Sequence, residues 1–184
     1  MKSLRLQNKL SNEQYNPSED TFFLEDCIKN QKGYLALDIG SGSGYLTKIL
    51  AKSFSFVIGT DINLDVLKNQ TYKTQNLVCC NSADALVAQF DLIICNLPYL
   101  ATNEILDIAT DGGKEGLEIP LPMIKSALYR IKSGGKFLFV TSSLSNYSKL
   151  IDFCKQEGLE TKIIAKKKLF FEELIVIEAK KLFS

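Results

Sequence analysis

Apolar residues occur along the chain in short runs bounded by glycine and polar turn residues, and stretches with helical spacing separate most of these runs. The apolar runs predict seven strands, at YLALDIG, FSFVIGTDI, NLVCC, FDLIIC, KFLFVTSS and the two halves of TKIIAKKKLFFEELIVIEAK. Strands that alternate with helices are typical of a parallel, doubly wound sheet, and a closing hairpin adds one antiparallel strand. The pattern therefore predicts an α/β, Rossmann-like fold with a seven-stranded sheet and an antiparallel C-terminal hairpin.

The segments between the strands predict helices with recognisable ends. Ser18 is the expected N-cap of a first helix, whose first turn carries two acidic residues that the helix dipole favours. The segment LPMIKSALYRIK predicts a later helix that ends at the glycines of SGG. Residues 101–116 show no regular pattern apart from one glycine-rich loop. Because no repeat or linker is visible, we expect a single domain over residues 1–184.

The composition excludes several classes of function. The 184 residues are 46% hydrophobic, which is enough for one sizeable core, and 22 basic residues nearly cancel 21 acidic ones. This balance argues against a general nucleic-acid binder, although it is compatible with a local basic patch. The chain has no histidine, so triad hydrolases and histidine–zinc enzymes are excluded.

Five cysteines without C-x-x-C spacing lie mostly within apolar runs. Cysteines in such runs behave as small hydrophobic residues, so we expect reduced structural thiols. The first ten residues, MKSLRLQNKL, are too polar for a signal peptide, and no apolar run is long enough to span a membrane. We therefore expect a soluble protein of the cytoplasm.

A glycine-rich loop, DIGSGSG, follows the first predicted strand. Its three glycines, Gly40, Gly42 and Gly44, leave the backbone open to a ligand. Asp61 ends the next strand about 20 residues later, where a carboxylate can accept both hydroxyl groups of a ribose. The dinucleotide fingerprint requires a glycine at the position of Tyr45, so the pattern favours S-adenosylmethionine over NAD.

Two further acidic residues follow predicted strands at the same edge of the sheet. Asp38 is placed to meet the cationic amino group of S-adenosylmethionine, and Asp84 can accept a hydrogen bond from the adenine amino group. The complete set of expected cofactor-binding residues is Thr21, Asp38, Gly40, Gly42, Gly44, Asp61, Ile62, Asp84, Ala85 and Asn96. No metal site is expected.

The strand FDLIIC ends in Asn96-Leu97-Pro98-Tyr99. Pro98 fixes its own φ and holds Leu97 extended, so the groups on either side keep a defined relation. An amide or exocyclic amine nitrogen is a weak nucleophile that must be aimed at its electrophile. The Asn96 side-chain oxygen and the Leu97 carbonyl can accept its N–H bonds, and Tyr99 can stack on a flat amide. We expect Asn96, Pro98 and Tyr99 to be catalytic, and Asn96, Leu97 and Tyr99 to bind the substrate.

In chain order, the candidate motifs are DIGSGSG, TDIN, the Asp84 loop and Asn96-Leu97-Pro98-Tyr99. This order resembles class I methyltransferases that methylate planar amino nitrogens. The segment YNPSEDTFFLED narrows the resemblance to short, single-domain HemK-type glutamine methyltransferases of archaea and eukaryotes. The resemblance implies an S-adenosylmethionine-dependent N-methyltransferase that modifies the Gly-Gly-Gln glutamine of a peptide-chain release factor and releases S-adenosylhomocysteine. It also implies that Thr21 lies against the cofactor's carboxylate and that residues 1–30 cap the cofactor site.

One position departs from the HemK pattern. HemK-type enzymes usually have Asn-Pro-Pro-Tyr, whereas Leu97 gives the form more familiar in rRNA adenine dimethyltransferases. An adenine or guanine N-methyltransferase acting on rRNA or DNA is therefore the alternative function. The near-neutral charge and the absence of a C-terminal RNA-binding extension favour the glutamine substrate.

The third predicted strand, NLVCC at residues 76–80, is expected at an edge of the sheet. The expected strand order is third, second, first, fourth, fifth and then the hairpin pair. Edge strands are usually protected by lysine, proline or a bulge, and this strand has no such residue. The HemK-type enzymes that the chain resembles are often paired with a small zinc-binding activator subunit, which adds a strand here. The resemblance therefore implies such a partner at residues 76–80.

Overall fold

The computed structural model describes residues 16–183, which form one large sheet with helices on both faces. The helices are α1 (Glu19–Ile28), α2 (Tyr45–Leu50), α3 (Leu64–Lys68), α4 (Pro120–Leu128) and α5 (Tyr147–Gln156). The strands are β1 (Gly33–Ile39), β2 (Phe54–Asp61), β3 (Leu77–Cys79), β4 (Phe90–Asn96), β5 (Leu100–Ala101), β6 (Asp111–Gly113), β7 (Ile131–Ser142), β8 (Glu160–Lys168) and β9 (Glu173–Lys180). Within residues 16–183, no helix is long and apolar enough to cross a membrane.

The seven-stranded sheet has the order β3-β2-β1-β4-β7-β9-β8, which confirms the predicted strand order. Neighbouring strands are parallel from β3 to β7, and β9 is antiparallel to both β7 and β8. Although β9 follows β8 in sequence, it separates β8 from the rest of the sheet. Strand β8 therefore forms one edge of the sheet, and β3 forms the other.

Alternate residues of the central strands fill two apolar layers, one on each face of the sheet. In β1, Leu37 and Ile39 pack in the layer covered by α4 and α5, whereas Ala36 packs in the layer covered by α1 and α2. This alternation is the period of two that a strand imposes on its side chains. The pairing of β1 with β4 sets Asp38 opposite Ile94, so the carboxyl ends of these strands lie side by side.

Strand β7 begins earlier than its sequence predicts. Helix α4 ends at Leu128, and β7 starts at Ile131 and runs through Gly134 and Gly135, with a shift in its register against β4. A Cβ atom at Gly135 would lie 2.7 Å from the carbonyl oxygen of Phe90, and Gly134 has a φ of +77°. The prediction that these glycines end a helix was wrong, because they form an irregularity inside a strand.

Residues 100–113 form a small two-stranded sheet that the sequence pattern does not predict. Strands β5 and β6 are parallel, with Leu100 opposite Asp111. The Asp111 Oδ2 accepts hydrogen bonds from the backbone N–H groups of Leu106, at 2.8 Å, and Asp107, at 2.9 Å. These bonds fold the connection between β5 and β6 into a compact loop, and Asp107 reaches the cavity described below.

Candidate active site

A cavity of about 370 Å³ lies beyond the carboxyl ends of β1 and β2, where doubly wound sheets bind their ligands. The expected site residues that line it are Thr21, Asp38, Gly40, Gly42, Asp61, Ile62, Asn96 and Pro98. Asp107 and Glu118 add two more acidic side chains, and the described lining contains no lysine or arginine. This negative cavity fits a cationic ligand such as S-adenosylmethionine, whereas the pyrophosphate of NAD would find no cation there.

Asp38 has a buried carboxyl group near the end of β1. Its Oδ2 accepts a hydrogen bond from the Thr47 hydroxyl at 2.6 Å, which fixes the carboxyl group against α2. Burial raises the pKa of Asp38 to about 7, the bond from Thr47 opposes this rise, and the charge of Asp61 adds to it. A positive group brought next to Asp38 would favour its ionised form.

Asp61, the last residue of β2, holds the glycine-rich loop in place. Its Oδ2 accepts a hydrogen bond from the Gly42 N–H at 3.1 Å, and its Oδ1 accepts one from the Asn63 N–H at 2.9 Å. Burial raises the pKa of Asp61. Because each carboxylate oxygen has a second lone pair, the carboxylate can still accept hydrogen bonds from a ligand in the cavity.

The Asn96-Leu97-Pro98-Tyr99 segment leaves the sheet at the end of β4, where Asn96 lies opposite Val140 of β7. The Leu97 N–H donates to the Val140 carbonyl at 3.3 Å, and the Leu97 side chain is buried in the core. A Cβ atom on Gly112 would lie 2.6 Å from the carbonyl oxygen of Pro98. A side chain at Gly112 would therefore push the segment out of position.

A second cavity, of about 290 Å³, shares Asn96 and Ala109 with the first. Leu97 and Tyr99 also line this second cavity. The Oδ1 atom of Asn96 is buried and accepts no hydrogen bond from any described residue. A buried acceptor without a donor costs free energy, so the Asn96 oxygen at the boundary of the two cavities is suited to receive an N–H group of a ligand.

Residues 16–171 match the sequence pattern of the family described as Methyltransferase small domain. The chain belongs to this family. A Methanocaldococcus jannaschii protein named as a protein N5-glutamine methyltransferase is 34% identical to this methyltransferase, and the match covers 93% of each chain. A release factor glutamine methyltransferase of Bradyrhizobium diazoefficiens is 31% identical over 55% of this chain and 41% of its own length.

Among solved structures, the methyltransferase is similar to the Mtq2–Trm112 complex of E. cuniculi, which is described as responsible for methylation of the translation termination factor eRF1. The TM-score is 0.77 and the sequence identity is 23%, with 91% of this chain and 98% of that chain covered. This likeness confirms the fold of a class I methyltransferase.

Two expected cofactor-binding residues of the methyltransferase, Asp84 and Ala85, do not line the first cavity within the described part of the chain. The Asp84 Oδ1 instead accepts a hydrogen bond from the Ser126 hydroxyl of α4 at 2.6 Å. Asn81 and Ser82 line the cavity after β3. Ser82 has a φ of +52°, and this turn directs Asp84 towards α4.

Gly44 is also absent from the described lining of the first cavity. A Cβ atom on Gly44 would collide with the carbonyl oxygen of Tyr72 and with the side chain of Gln70. The φ of Gly44 is +79°, which glycine adopts most easily. Gly44 is therefore needed for the packing of the loop.

The beginning of α1 contributes to both cavities of the methyltransferase. Pro17 and Thr21 line the first cavity, and Ser18, Glu19 and Asp20 line the second. The Tyr45 hydroxyl donates to the Glu25 carboxylate at 2.6 Å, which attaches α1 to α2 and raises the pKa of Tyr45 to about 12. Residues 1–15, the first half of the expected capping segment, lie outside the described residues.

Sequence reasoning missed several residues of the first cavity. They include Ser41, Ser43, Tyr45, Asn63, Val66, Asn81, Ser82, Asp107, Glu118, Pro122 and Met123. The two serines belong to DIGSGSG and Asn63 to TDIN, so the motifs themselves could have indicated them. Asp107 and Glu118 come from segments without a recognisable pattern, and only the tertiary structure brings them to the cavity.

Proposed function

We propose that this methyltransferase transfers a methyl group to the side-chain amide nitrogen of a glutamine in a peptide-chain release factor. The observation that carries the proposal is the buried Asn96 oxygen, which has no donor among the described residues and lies where the two cavities meet. The first cavity is suited to the cofactor and the second to the acceptor side chain. Asn96 is then the group that aims the acceptor nitrogen.

S-adenosylmethionine, the methyl donor of this enzyme, supplies an electrophilic methyl group on a sulfonium centre when it is bound. Asp38 is suited to its amino group, because a cation there favours the ionised carboxylate. Asp61 can accept hydrogen bonds from ribose hydroxyls with the lone pairs that Gly42 and Asn63 leave unused. Thr21 lines the same cavity, which supports its expected place near the cofactor's carboxylate.

The acceptor amide has two N–H bonds and a lone pair that is delocalised into its carbonyl group. The Asn96 oxygen and the Leu97 carbonyl accept these N–H bonds and stabilise the positive charge that develops on nitrogen during transfer. Tyr99 stacks on the flat amide. The chain contains no histidine to act as a base, and the methylated nitrogen is acidic enough to lose its proton to solvent.

The relatives support this choice of substrate. The M. jannaschii relative is named for methylation at glutamine N5, and the B. diazoefficiens relative is named for release factor glutamine. The Mtq2–Trm112 complex is described as methylating a termination factor. Each of the three descriptions therefore names a glutamine, a translation termination factor or both as the site of methylation.

A labelling experiment tests the proposal. The purified methyltransferase is incubated with S-adenosylmethionine labelled in its methyl group and with a release factor that contains Gly-Gly-Gln. We expect label on the wild-type release factor and none on a matched release factor with alanine in place of that glutamine. Label on ribosomal RNA, with none on the release factor, would overturn the proposal and favour the alternative function that Leu97 indicates.

The edge strand β3 supports an activator subunit as a partner. The Asn76 carbonyl accepts from Gly59, and the Cys80 N–H donates to Asp61, so residues 76 and 80 face β2. Because successive residues of a strand alternate, Leu77 and Cys79 direct their backbone groups towards the open edge. Within residues 16–183, no loop forms a backbone hydrogen bond with these two residues on that side.

We propose that a small zinc-binding activator subunit adds a strand along Leu77–Cys79. Cys79 is exposed there, and Leu77 is partly exposed. Val78, by contrast, packs partly against the main core, so a lysine at this position would disturb the packing as well as the edge. The open backbone groups of Leu77 and Cys79 are therefore the better place to test the partner.

A further inference from the structure

The second cavity has an acidic wall. Its charged lining residues are Glu19, Asp20 and Glu172, and the described lining contains neither lysine nor arginine. Apolar side chains, from Leu97, Leu100, Leu169 and Leu174, form much of the remaining wall. The cavity that the proposed function assigns to the acceptor is therefore both apolar and negatively charged.

The three carboxylates of this wall differ in their surroundings. Glu19 is exposed and pairs with Lys167 at 2.5 Å. The Asp20 Oδ1 accepts a hydrogen bond from the Thr21 N–H at 2.6 Å, so this carboxylate fixes the start of α1. The Glu172 Oε2 is buried and accepts no hydrogen bond from any residue in the described range. Among the three carboxylates, Glu172 is therefore the one with a buried oxygen that lacks a donor within residues 16–183.

The backbone on both sides of Glu172 is fixed by hydrogen bonds. The Leu169 N–H donates to the Glu172 carbonyl at 2.8 Å and closes the tight turn between β8 and β9. The next residue, Glu173, donates its N–H to the Ser143 hydroxyl at 2.9 Å. The turn thus fixes the backbone of Glu172 at the wall of the second cavity, which its side chain lines.

We infer that Glu172 is a specificity-determining residue that binds a positively charged side chain, lysine or arginine, of the polypeptide substrate near the methylated residue. A carboxylate oxygen that is buried without a donor costs free energy, and a cationic N–H donor supplies both the hydrogen bond and the opposite charge. The inference rests on the proposed function, since it places the acceptor in the second cavity. A nucleic-acid phosphate would be repelled by the same wall.

A set of paired peptides tests this inference. Each peptide contains Gly-Gly-Gln and carries, at one other position, either arginine or citrulline, which has a similar shape and no charge. KM and kcat are measured for wild type, Glu172→Gln and Glu173→Gln. The Glu173→Gln variant is the matched control, because Glu173 is the next residue and its carboxylate pairs with Lys166 at 2.7 Å.

For wild type, we expect one position at which arginine lowers KM about tenfold or more relative to citrulline, with kcat little changed. The difference should disappear in Glu172→Gln and persist in Glu173→Gln. All three proteins should bind S-adenosylhomocysteine equally well, which shows that the first cavity is intact. A charge-reversed variant, Glu172→Lys, should instead favour a peptide with glutamate at the same position.

The other results separate this inference from the proposed function. Methylation of the peptides without any preference for arginine, or with the same preference in Glu172→Gln, would overturn the inference and leave the proposed function standing. If the wild-type enzyme methylates ribosomal RNA and no glutamine peptide, both are wrong.

Discussion

Gly112 lies directly against the backbone of Pro98. A Cβ atom at position 112 would be 2.6 Å from the Pro98 carbonyl oxygen and 2.9 Å from the Cα atom of Gly116. A Cβ atom on Gly116 would in turn collide with the Tyr99 carbonyl oxygen. Two glycines of the glycine-rich loop predicted within residues 101–116 therefore set the position of the Asn96-Leu97-Pro98-Tyr99 segment.

Gly112→Ala should lower kcat by about a hundredfold, because a displacement of about 1 Å at a reacting group has an effect of this order. The affinity for S-adenosylhomocysteine should change little. Gly158→Ala serves as the control, since Gly158 has a φ of +82° and a Cβ atom there would have no neighbour within 4 Å. This control should lose some thermal stability and keep its kcat. Normal turnover in Gly112→Ala would contradict the positioning role.

Asn96→Ala should reduce methyl transfer by about a hundredfold or more, the usual effect of removing one oriented hydrogen-bonding group from a transition state. Cofactor affinity should stay within several-fold of wild type, because Asn96 mainly aims the acceptor nitrogen. Turnover is measured with labelled cofactor and a release factor, and affinity by calorimetry with S-adenosylhomocysteine. Near-normal turnover would show that the Asn96 oxygen does not direct the acceptor.

Asp61→Ala should weaken cofactor binding by about 1.5–3 kcal/mol, the usual contribution of hydrogen bonds to a charged group. The variant should also be less stable, because Asp61 binds the N–H groups of Gly42 and Asn63. Calorimetry and thermal unfolding measure the two effects. Asp152→Ala, on the exposed face of α5, should show neither of them. An unchanged affinity in Asp61→Ala would mean that the ribose binds elsewhere.

The stability of the ligand-free enzyme should depend on the protonation of Asp38. Its pKa is raised from 3.8 to about 7 by burial. Because the folded state holds the proton more tightly than the unfolded chain, the contribution to stability is complete below pH 4 and is lost as the pH rises to 7. Its size is of the order of a few kcal/mol. The melting temperature of wild type and of Asp38→Asn is measured between pH 4 and pH 8. The variant should lack this pH dependence, and a variant whose melting temperature changes with pH as that of wild type does would contradict the role of Asp38.

Cys79→Pro should abolish binding of the activator subunit, because it removes a backbone N–H that faces the open edge of β3. The fold should persist, since residues 76 and 80 form the bonds to β2. Cys79→Ser keeps the N–H and should bind normally. Co-purification and thermal unfolding measure these effects, and full binding of Cys79→Pro would rule out strand addition at this edge.

The sequence predicts the sheet well because its strands are continuous apolar runs, such as those of β1 and β4, that are buried on both faces. It also predicts the position of Asn96, because a polar residue at the end of a central strand must lie at the ligand-binding edge. The hydrogen bond of Asp84 with Ser126 could not be predicted, since it depends on the positive φ of Ser82 and on the packing of α4.

Of the second cavity, the sequence predicts only the part formed by Asn96, Leu97 and Tyr99, and it does not predict the acidic wall. Its walls join the start of α1 with the β8–β9 turn, and Glu19 and Glu172 are separated by most of the chain. No local pattern marks Glu172, because its importance comes from burial and from the missing donor. Such features depend on tertiary packing and not on the residues next to them in sequence.

Strand β9 lies between β7 and β8 although it is synthesised after both of them. While the chain is being translated, β8 therefore has no neighbour to pair with until β9 has left the ribosome. The two strands can pair first with each other, because their contacts are local, and then join β7 as a unit. Glu172 lies at the turn of this unit, so the acceptor side of the active site is completed only at the end of folding.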